Sequence, residues 1–145
     1  MLYDMLRIVL DTSVLTSAMR SSLGASYAVL QKIQHGQIDV LVTPALLLEY
    51  EAVLTRDEQL ASSGLTINDI SRFLDAFAGF CRPVEIHFSW RPQLNDSSDE
   101  MVLEAAINGH ADALITFNTA HFAVAAPRFN LPLWLPKQLL MEAHQ

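Results

Sequence analysis

RIVLDTSVL, residues 7–15, sets a short hydrophobic run against an abrupt change to acidic and hydroxyl side chains. The run from Leu6 to Leu10 predicts a buried β-strand, and Asp11 follows its last residue. Thr12 and Ser13 come next and can hydrogen-bond a carboxylate or a metal-bound water. A carboxylate at the end of a rigid strand is held in place, so Asp11 is a candidate catalytic or metal-binding group. A second interpretation stays open, in which Asp11 caps the following helix.

Beyond this strand, helical and strand patterns alternate along the chain. The predicted helices are residues 25–34, residues 45–58 (ALLLEYEAVLTRDE), a segment from Thr66 to Arg82 and Pro83, residues 97–110, and a short C-terminal helix from Pro136. Thr43 and Pro44 form the predicted start of the second helix. Thr66 with Asp69, and Ser97 with Glu100, have the spacing of capping boxes at the starts of the third and fourth. The predicted strands are residues 40–42, VEIHF (84–88), DALIT (112–116) and LPLWL (131–135). Parallel strands need crossover helices, and hairpin signals are almost absent. We therefore predict a three-layer α/β/α sandwich with a central, mainly parallel sheet.

The composition of the chain fits one domain over residues 1–145, with 51% hydrophobic residues. No apolar stretch reaches the ~18 residues of a membrane-spanning helix, and the N-terminus lacks signal-peptide anatomy, so we expect a soluble cytoplasmic protein. Cys81 is the only cysteine, which excludes an internal disulfide and a cysteine-rich zinc site. The formal charge of -7 argues against a broad basic surface, but not against a nucleic-acid enzyme whose bound cations neutralise an acidic cluster.

Three more carboxylates are predicted to reach the edge of the sheet at which Asp11 lies. Glu49 falls in the second turn of the helix after the second strand, while Asp96 and Asp99 bracket the start of the helix at 97–110. In a parallel sheet, ligands bind at the carboxyl ends of the strands, and the returning helices begin there. Gathered like charges are costly unless a cation lies between them, and Mg²⁺ and Mn²⁺ prefer oxygen ligands. The sequence therefore predicts a divalent metal site at this edge.

Each of these acids also has a purely structural interpretation. Glu49 could be a boundary residue whose stem packs while its head stays in water, and Glu51 has similar apolar neighbours, so the pattern does not separate the two. The helix dipole should keep Asp99 ionised, which suits a metal ligand but could equally be its whole role. Asp96 could be an ordinary helix cap.

Four segments, in this order, resemble the motifs of the PIN domain family, and in particular the bacterial PIN-type toxins of toxin-antitoxin pairs, the VapC-like ribonucleases. The segments are VLDTSVL (9–15), EYEAVL (49–54), NDSSDEMVLEAA (95–106) and ADALITFN (111–118). The resemblance implies that Asp11, Glu49 and Asp99 are the catalytic metal ligands, with Asp96 as an additional one, and it selects Glu49 over Glu51. It implies a PIN-like domain across nearly the whole chain.

The activity implied by the resemblance is an endoribonuclease dependent on Mg²⁺ or Mn²⁺, which hydrolyses phosphodiester bonds of single-stranded RNA. Thr12, Ser13 and Thr116 would support the ligands. Many members carry an aspartate within two residues of the threonine, where this chain has Asn118. An amide can ligate or orient water without adding negative charge, so the second metal position should be weaker. Asn118 could also be an ordinary turn residue.

We expect two protein partners, namely an antitoxin, which the resemblance implies, and a second copy of the chain. The positive mean hydropathy agrees with apolar surface that a partner covers. RFLDAFAGF (72–80) is the predicted docking place for either, although its apolar stripe could be core. His121 lies near the predicted active edge, and we interpret it as a surface histidine rather than a proton shuttle.

Two other classes of function stay open at this point. One is a binding module on the same fold, which binds RNA or a partner without cutting and which the amide at Asn118 motivates. The other is a phosphotransfer domain of the receiver or haloacid dehalogenase type, since both place an aspartate at the end of a strand. The sequence disfavours the second class, because Ser13 stands where a dehalogenase-type site needs another aspartate.

Overall fold

The computed structural model describes residues 5–89 and 91–143, and over these residues the strands form a single five-stranded sheet. The strands are β1 (Arg7–Leu10), β2 (Asp39–Val42), β3 (Cys81–Pro83), β4 (Ala113–Ile115) and β5 (Leu133–Trp134). Their order is β3-β2-β1-β4-β5, and every neighbouring pair is parallel. The predicted α/β fold with a parallel central sheet is confirmed.

Helices connect and cover these strands. They are α1 (Thr12–Arg20), α2 (Ala25–Gln34), α3 (Pro44–Leu54), α4 (Asp57–Ser63), α5 (Ile67–Phe80), α6 (Ser97–Asn108), α7 (Thr119–Phe122) and α8 (Pro136–Glu142), with a 3₁₀ turn at Ala126–Phe129. Crossovers between parallel strands are right-handed, so α1 to α5, which lead outward to β3, cover one face of the sheet. The chain returns to β4 through α6, which covers the other face. No helix in the described ranges is long and apolar enough to cross a membrane.

The centre of the sheet is fully buried between the two helical layers. Ile8, Val9 and Leu10 of β1 have no exposed surface, and the same holds for the three residues of β4. Tyr50 of α3 is also fully buried, and its hydroxyl donates to the carbonyl oxygen of Leu10 at 2.5 Å. This bond ties α3, and with it the neighbouring Glu49, to the carboxyl end of β1.

The helix predicted over residues 45–58 is interrupted, so that prediction was wrong in its extent. The hydroxyl of Thr55 donates to the carbonyl oxygen of Glu51 at 2.7 Å, and Arg56 has an extended backbone, with φ -62° and ψ 143°. Side-chain bonds of this kind compete with continued helix. Asp57 and Glu58 then begin α4, where acidic side chains are favoured by the helix dipole.

The strand predicted at 84–88 was also wrong, because the third strand is Cys81–Pro83, directly after α5. Proline is tolerated there because β3 is an edge strand that pairs only with β2. The chain beyond Val84 leaves the sheet, and the side-chain oxygen of Asn108 accepts the backbone N–H groups of His87 and Phe88 at 2.8 and 2.9 Å. The other predicted strands are confirmed within one or two residues at each end, as are the helix at 25–34 and the Thr66/Asp69 capping box.

Candidate active site

Asp11 stands at the carboxyl end of β1 and is only 2% exposed. Its backbone N–H donates to the carbonyl oxygen of Ile115 at 2.9 Å, which joins it to β4. Its Oδ2 atom accepts hydrogen bonds from the hydroxyls of Ser13 and Thr116, both at 2.7 Å, while the Thr12 hydroxyl lies 3.5 Å from Oδ1. Short bonds to an ionised group are among the stronger hydrogen bonds, so the hydroxyls replace part of the water that Asp11 has lost.

The interpretation of Asp11 as a helix cap is not supported. Asp11 occupies the position before α1, but its side chain makes no capping hydrogen bond. The hydroxyls that hold it also accept backbone N–H groups from the loop after β4. Ser13 accepts from Phe117 at 3.1 Å and Thr116 from Asn118 at 2.8 Å. The carboxylate is therefore the centre of a network that joins the ends of β1 and β4.

Glu49 is distinguished from Glu51 by its surroundings. Glu49 is partly buried, whereas Glu51 is exposed. The Oε1 atom of Glu49 accepts a hydrogen bond from the Ser98 hydroxyl at 3.0 Å, so its carboxylate faces the first turn of α6. Ser98 is not among the site residues predicted from the sequence. Its signal was a hydroxyl residue inside the third acidic motif, directly before Asp99.

Asp99 lies in the first turn of α6 and is partly buried. Burial raises the pKa of this carboxyl, and the negative charges of Asp11 and Asp96 raise it further. His121 acts in the opposite direction, with its Nδ1 atom 3.2 Å from Oδ2 of Asp99. Burial and the neighbouring acids thus act against the helix dipole, which favours the charged form of Asp99. The attraction of His121 for the Asp99 carboxylate therefore does not fully offset burial and the repulsion from Asp11 and Asp96.

Asp96 is an exposed cap of α6, whose Oδ1 atom accepts the backbone N–H of Ser98 at 2.8 Å. The predicted capping box between Ser97 and Glu100 was wrong. Glu100 is instead buried, at 4% exposure, and accepts the backbone N–H groups of Gln93 and Leu94 at 2.5 and 2.7 Å. Asp96 therefore combines a capping role with a charge that acts on the neighbouring site.

Asn118 precedes α7 and is exposed. Its side chain makes no capping hydrogen bond, while its backbone N–H donates to the Thr116 hydroxyl that holds Asp11. An amide at this position brings no negative charge to the site.

The donor set fits Mg²⁺ or Mn²⁺ in its chemistry. Carboxylate, hydroxyl and amide oxygens are the ligands these ions prefer, and the raised pKa of Asp99 marks like charges that a cation would offset. As arranged, no three His, Cys, Asp or Glu side chains in residues 5–89 and 91–143 lie close enough together to hold an ion.

A cavity of about 570 Å³ opens beside Asp99. Its lining comes from two segments, residues 93–96 before α6 and residues around α7, the latter including His121. The position of His121 near the predicted active edge agrees with the sequence analysis. An ordinary surface histidine would have no such contact, whereas Nδ1 of His121 lies within bonding distance of the Asp99 carboxylate. Asp96 and Asp99 thus border a space that a substrate could enter.

Comparison with known proteins agrees with this arrangement. A family model for the PIN domain matches residues 7–120. Among solved structures, the chain is similar to one described as the crystal structure of VapBC2 from Rickettsia felis bound to a DNA fragment from their promoter. The TM-score is 0.56 at 15% sequence identity, and the match covers 88% of this chain and 97% of that chain. At this identity the similarity is one of fold. No curated protein matches the sequence significantly.

Proposed function

The chain belongs to the PIN domain family, and from this membership we propose that it is a metal-dependent endoribonuclease that hydrolyses phosphodiester bonds of single-stranded RNA. One observation carries the proposal. Asp11, Glu49 and Asp99 come from distant parts of the sequence, yet the fold gathers them at one edge of the sheet: Glu49 accepts from Ser98 beside Asp99, and the charge of Asp11 adds to burial in raising the pKa of Asp99. Like charges gathered in one place cost free energy, and a divalent ion is the simplest group that offsets this cost.

Asp11, Glu49 and Asp99 would hold Mg²⁺ or Mn²⁺, with Asp96 as an additional ligand. When bound, the metal supplies an activated water and offsets negative charge on the phosphate oxygens. The amide of Asn118 leaves the site with one charge fewer, so the acids balance one ion more readily than two.

The remaining polar residues of the site orient the acids. The hydroxyls of Ser13 and Thr116 fix the carboxylate of Asp11, and Thr12 lies beside it. Ser98 orients Glu49, and His121 orients Asp99. Groups held in advance need little rearrangement when substrate arrives, which is the main contribution of a protein to metal-assisted hydrolysis.

We propose further that the protein is the toxin of a toxin-antitoxin pair and acts in the cytoplasm, with an antitoxin and a second copy of the chain as partners. An apolar groove of about 230 Å³ between α1, α2 and α5 supports a docking surface. The predicted docking segment, residues 72–80, contributes only part of its stripe to this surface. Phe73, Phe77 and Phe80 line the groove, whereas Leu74 is buried and does not line it.

A binding module on the same fold is the second candidate function. The absence of a ready three-ligand group in the described residues favours it, as does the amide at Asn118. Such a module would bind RNA or a partner protein without any dependence on metal.

The deciding experiment incubates the purified protein with a mixed set of labelled single-stranded RNAs in EDTA, Mg²⁺ or Mn²⁺. We expect cleavage only with metal, and a loss of at least about 100-fold in the Asp11→Asn and Asp99→Asn variants. Asp75→Asn, which changes an exposed aspartate of α5, is the matched control and should keep full activity. Absence of cleavage of every RNA, together with failure to bind Mn²⁺, would rule out the nuclease and favour the binding module.

A further inference from the structure

The cavity beside Asp99 has two walls of different construction. One wall consists of residues 93–96, which lead into α6. The other consists of Ala120 and His121 of α7 together with Val124. Asp99 also lines the cavity, so the cavity borders two of the four candidate acids, Asp96 and Asp99.

The first wall is held by a buried carboxylate. Glu100 accepts the backbone N–H groups of both Gln93 and Leu94, and Arg128 donates from Nη1 to Oε1 of Gln93 at 2.8 Å. Gln93 and Leu94 are thereby fixed in position before any substrate binds, and Asn95 follows them directly in the chain. A wall that is set in advance can discriminate between ligands, because a poorly fitting ligand cannot reshape it at low cost.

The segment before this wall is tied to the same helix. Glu104, one turn beyond Glu100, accepts from the Ser89 hydroxyl at 2.7 Å and from the Arg91 guanidinium. Asn108, one turn further, binds the backbone of Phe88 through both of its side-chain atoms. Residues spaced by four lie on one face of a helix. Residues 87–89 and 91–94 are therefore fastened to α6 at three successive turns.

The second wall combines aliphatic surface with one polar ring. Val124 is 71% exposed, and Ala120 is exposed beside it. His121 uses Nδ1 toward Asp99, so the second ring nitrogen lies on the other side of the ring. Together with Leu94 on the facing wall, these residues offer apolar surface for a flat ring and polar groups at its border.

We propose that this cavity is the subsite for the base of the nucleotide next to the scissile phosphate, read by Asn95 and His121. The proposal rests on the proposed ribonuclease function and deepens it by naming where the substrate is selected. The cavity volume of about 570 Å³ lies within the range of about 300–1,000 Å³ typical of small-ligand sites. The Asn95 amide can both donate and accept, as the edge of a base requires. A base in this cavity would hold its phosphate at the acids.

The first arm of the test measures binding without cleavage. Titration calorimetry of the full chain with each of the four nucleoside 5′-monophosphates, in Mn²⁺, should show a spread of about tenfold or more between the best and worst base. Asn95→Ala and His121→Asn should reduce the spread to about threefold. His121→Asn keeps a donor toward Asp99, so a role limited to orienting that carboxylate would leave the spread unchanged. Asn68→Ala and His35→Asn, both at exposed positions away from the cavity, are the matched controls.

The second arm sequences the ends produced from a random single-stranded RNA pool. We expect the wild-type protein to favour one base beside the cut and Asn95→Ala to lose that preference while still cleaving. His121→Asn should lose the preference among whatever products it makes, whether or not its rate falls. Cleavage with unchanged preference in both variants would overturn the subsite and leave the nuclease intact. Base-selective nucleotide binding that both variants lose, with no cleavage by the wild type, would support the subsite and overturn the nuclease. A wild-type protein that binds the four nucleotides equally, or not at all, overturns the subsite.

Discussion

The two halves of the acidic site hold their charges in opposite ways. In the half around Asp11, the carboxylate is buried, and two hydroxyls, one from the first turn of α1 and one directly after β4, bond to the same oxygen. In the half around Asp99, the carboxylate is only partly buried, and its neighbours are more acids and one exposed histidine. The first half is complete in the absence of a ligand. The second half carries a charge that burial and the neighbouring acids disfavour.

This difference assigns the two halves different roles. The Asp11 half should contribute to the stability of the metal-free chain, because its hydrogen bonds are already made. The Asp99 half should cost stability in the metal-free chain and return it when a cation binds. The difference between the two halves can be tested by measuring how substitutions in each half change the free energy of unfolding in urea with EDTA present.

Thr116→Val should have the largest effect. Threonine and valine have nearly the same shape, so the change removes a hydroxyl and leaves no large cavity. The buried carboxylate of Asp11 then keeps only the Ser13 hydroxyl as a short-range donor. Loss of a hydrogen bond to a buried charged group should lower the free energy of unfolding by about 1.5–3 kcal/mol.

The control for this change is Thr55→Val, which removes a hydroxyl that bonds the backbone outside the site. It should cost less than Thr116→Val, since its partner is a neutral carbonyl oxygen. Equal losses in the two variants would show that Asp11 is not held more strongly than an ordinary side chain.

Tyr50→Phe should have the next largest effect, at about 1 kcal/mol. The hydroxyl of Tyr50 bonds the carbonyl oxygen of Leu10, and burial is the main reason that its pKa is raised well above 10.0. The ring itself packs edge to face against Phe77, with centroids 6.1 Å apart, and phenylalanine should keep that contact. An unchanged unfolding free energy would indicate that α3 is positioned by packing alone.

The Asp11 half could be predicted from the sequence, and the Asp99 half only in outline. Asp11 and Thr116 directly follow strands, and strand ends are marked locally by where a hydrophobic run stops. The contacts of Glu49 with Ser98 and of Asp99 with His121 depend on how separate helices meet, and no local pattern records that. The misplaced strand at 84–88 has the same cause, because pairing with β2 selects Cys81–Pro83 although 84–88 has the stronger strand composition.

Ser98→Ala tests the hydrogen bond that joins Glu49 of α3 to the first turn of α6, beside Asp99. The Ser98 hydroxyl donates to Glu49 in a partly exposed setting, so its loss should lower the free energy of unfolding by only about 0.5 kcal/mol. Cleavage should fall by more than stability does, about five- to tenfold, because Glu49 would no longer be oriented toward α6. Ser97→Ala, at an exposed position one residue earlier, is the matched control. Parallel small losses in both variants would assign Ser98 no role in orienting Glu49.

Asp99→Asn should have the smallest effect on stability and the opposite sign. The pKa of Asp99 is raised in the folded chain, so the folded state disfavours its charged form at neutral pH. Removing that charge should raise the unfolding free energy at pH 7 by about 0.2–0.5 kcal/mol, the usual size of a like-charge pair on a helix. The gain should vanish as the pH falls below 3.8, the ordinary pKa of this carboxyl, because Asp99 is then protonated in both states.

Addition of Mn²⁺ should reverse the order of the two stabilities at pH 7, since only the wild-type protein retains the proposed carboxylate ligand. A variant less stable than the wild type in EDTA at pH 7 would mean that His121 and the helix dipole already compensate Asp99, and the contrast between the two halves would not hold.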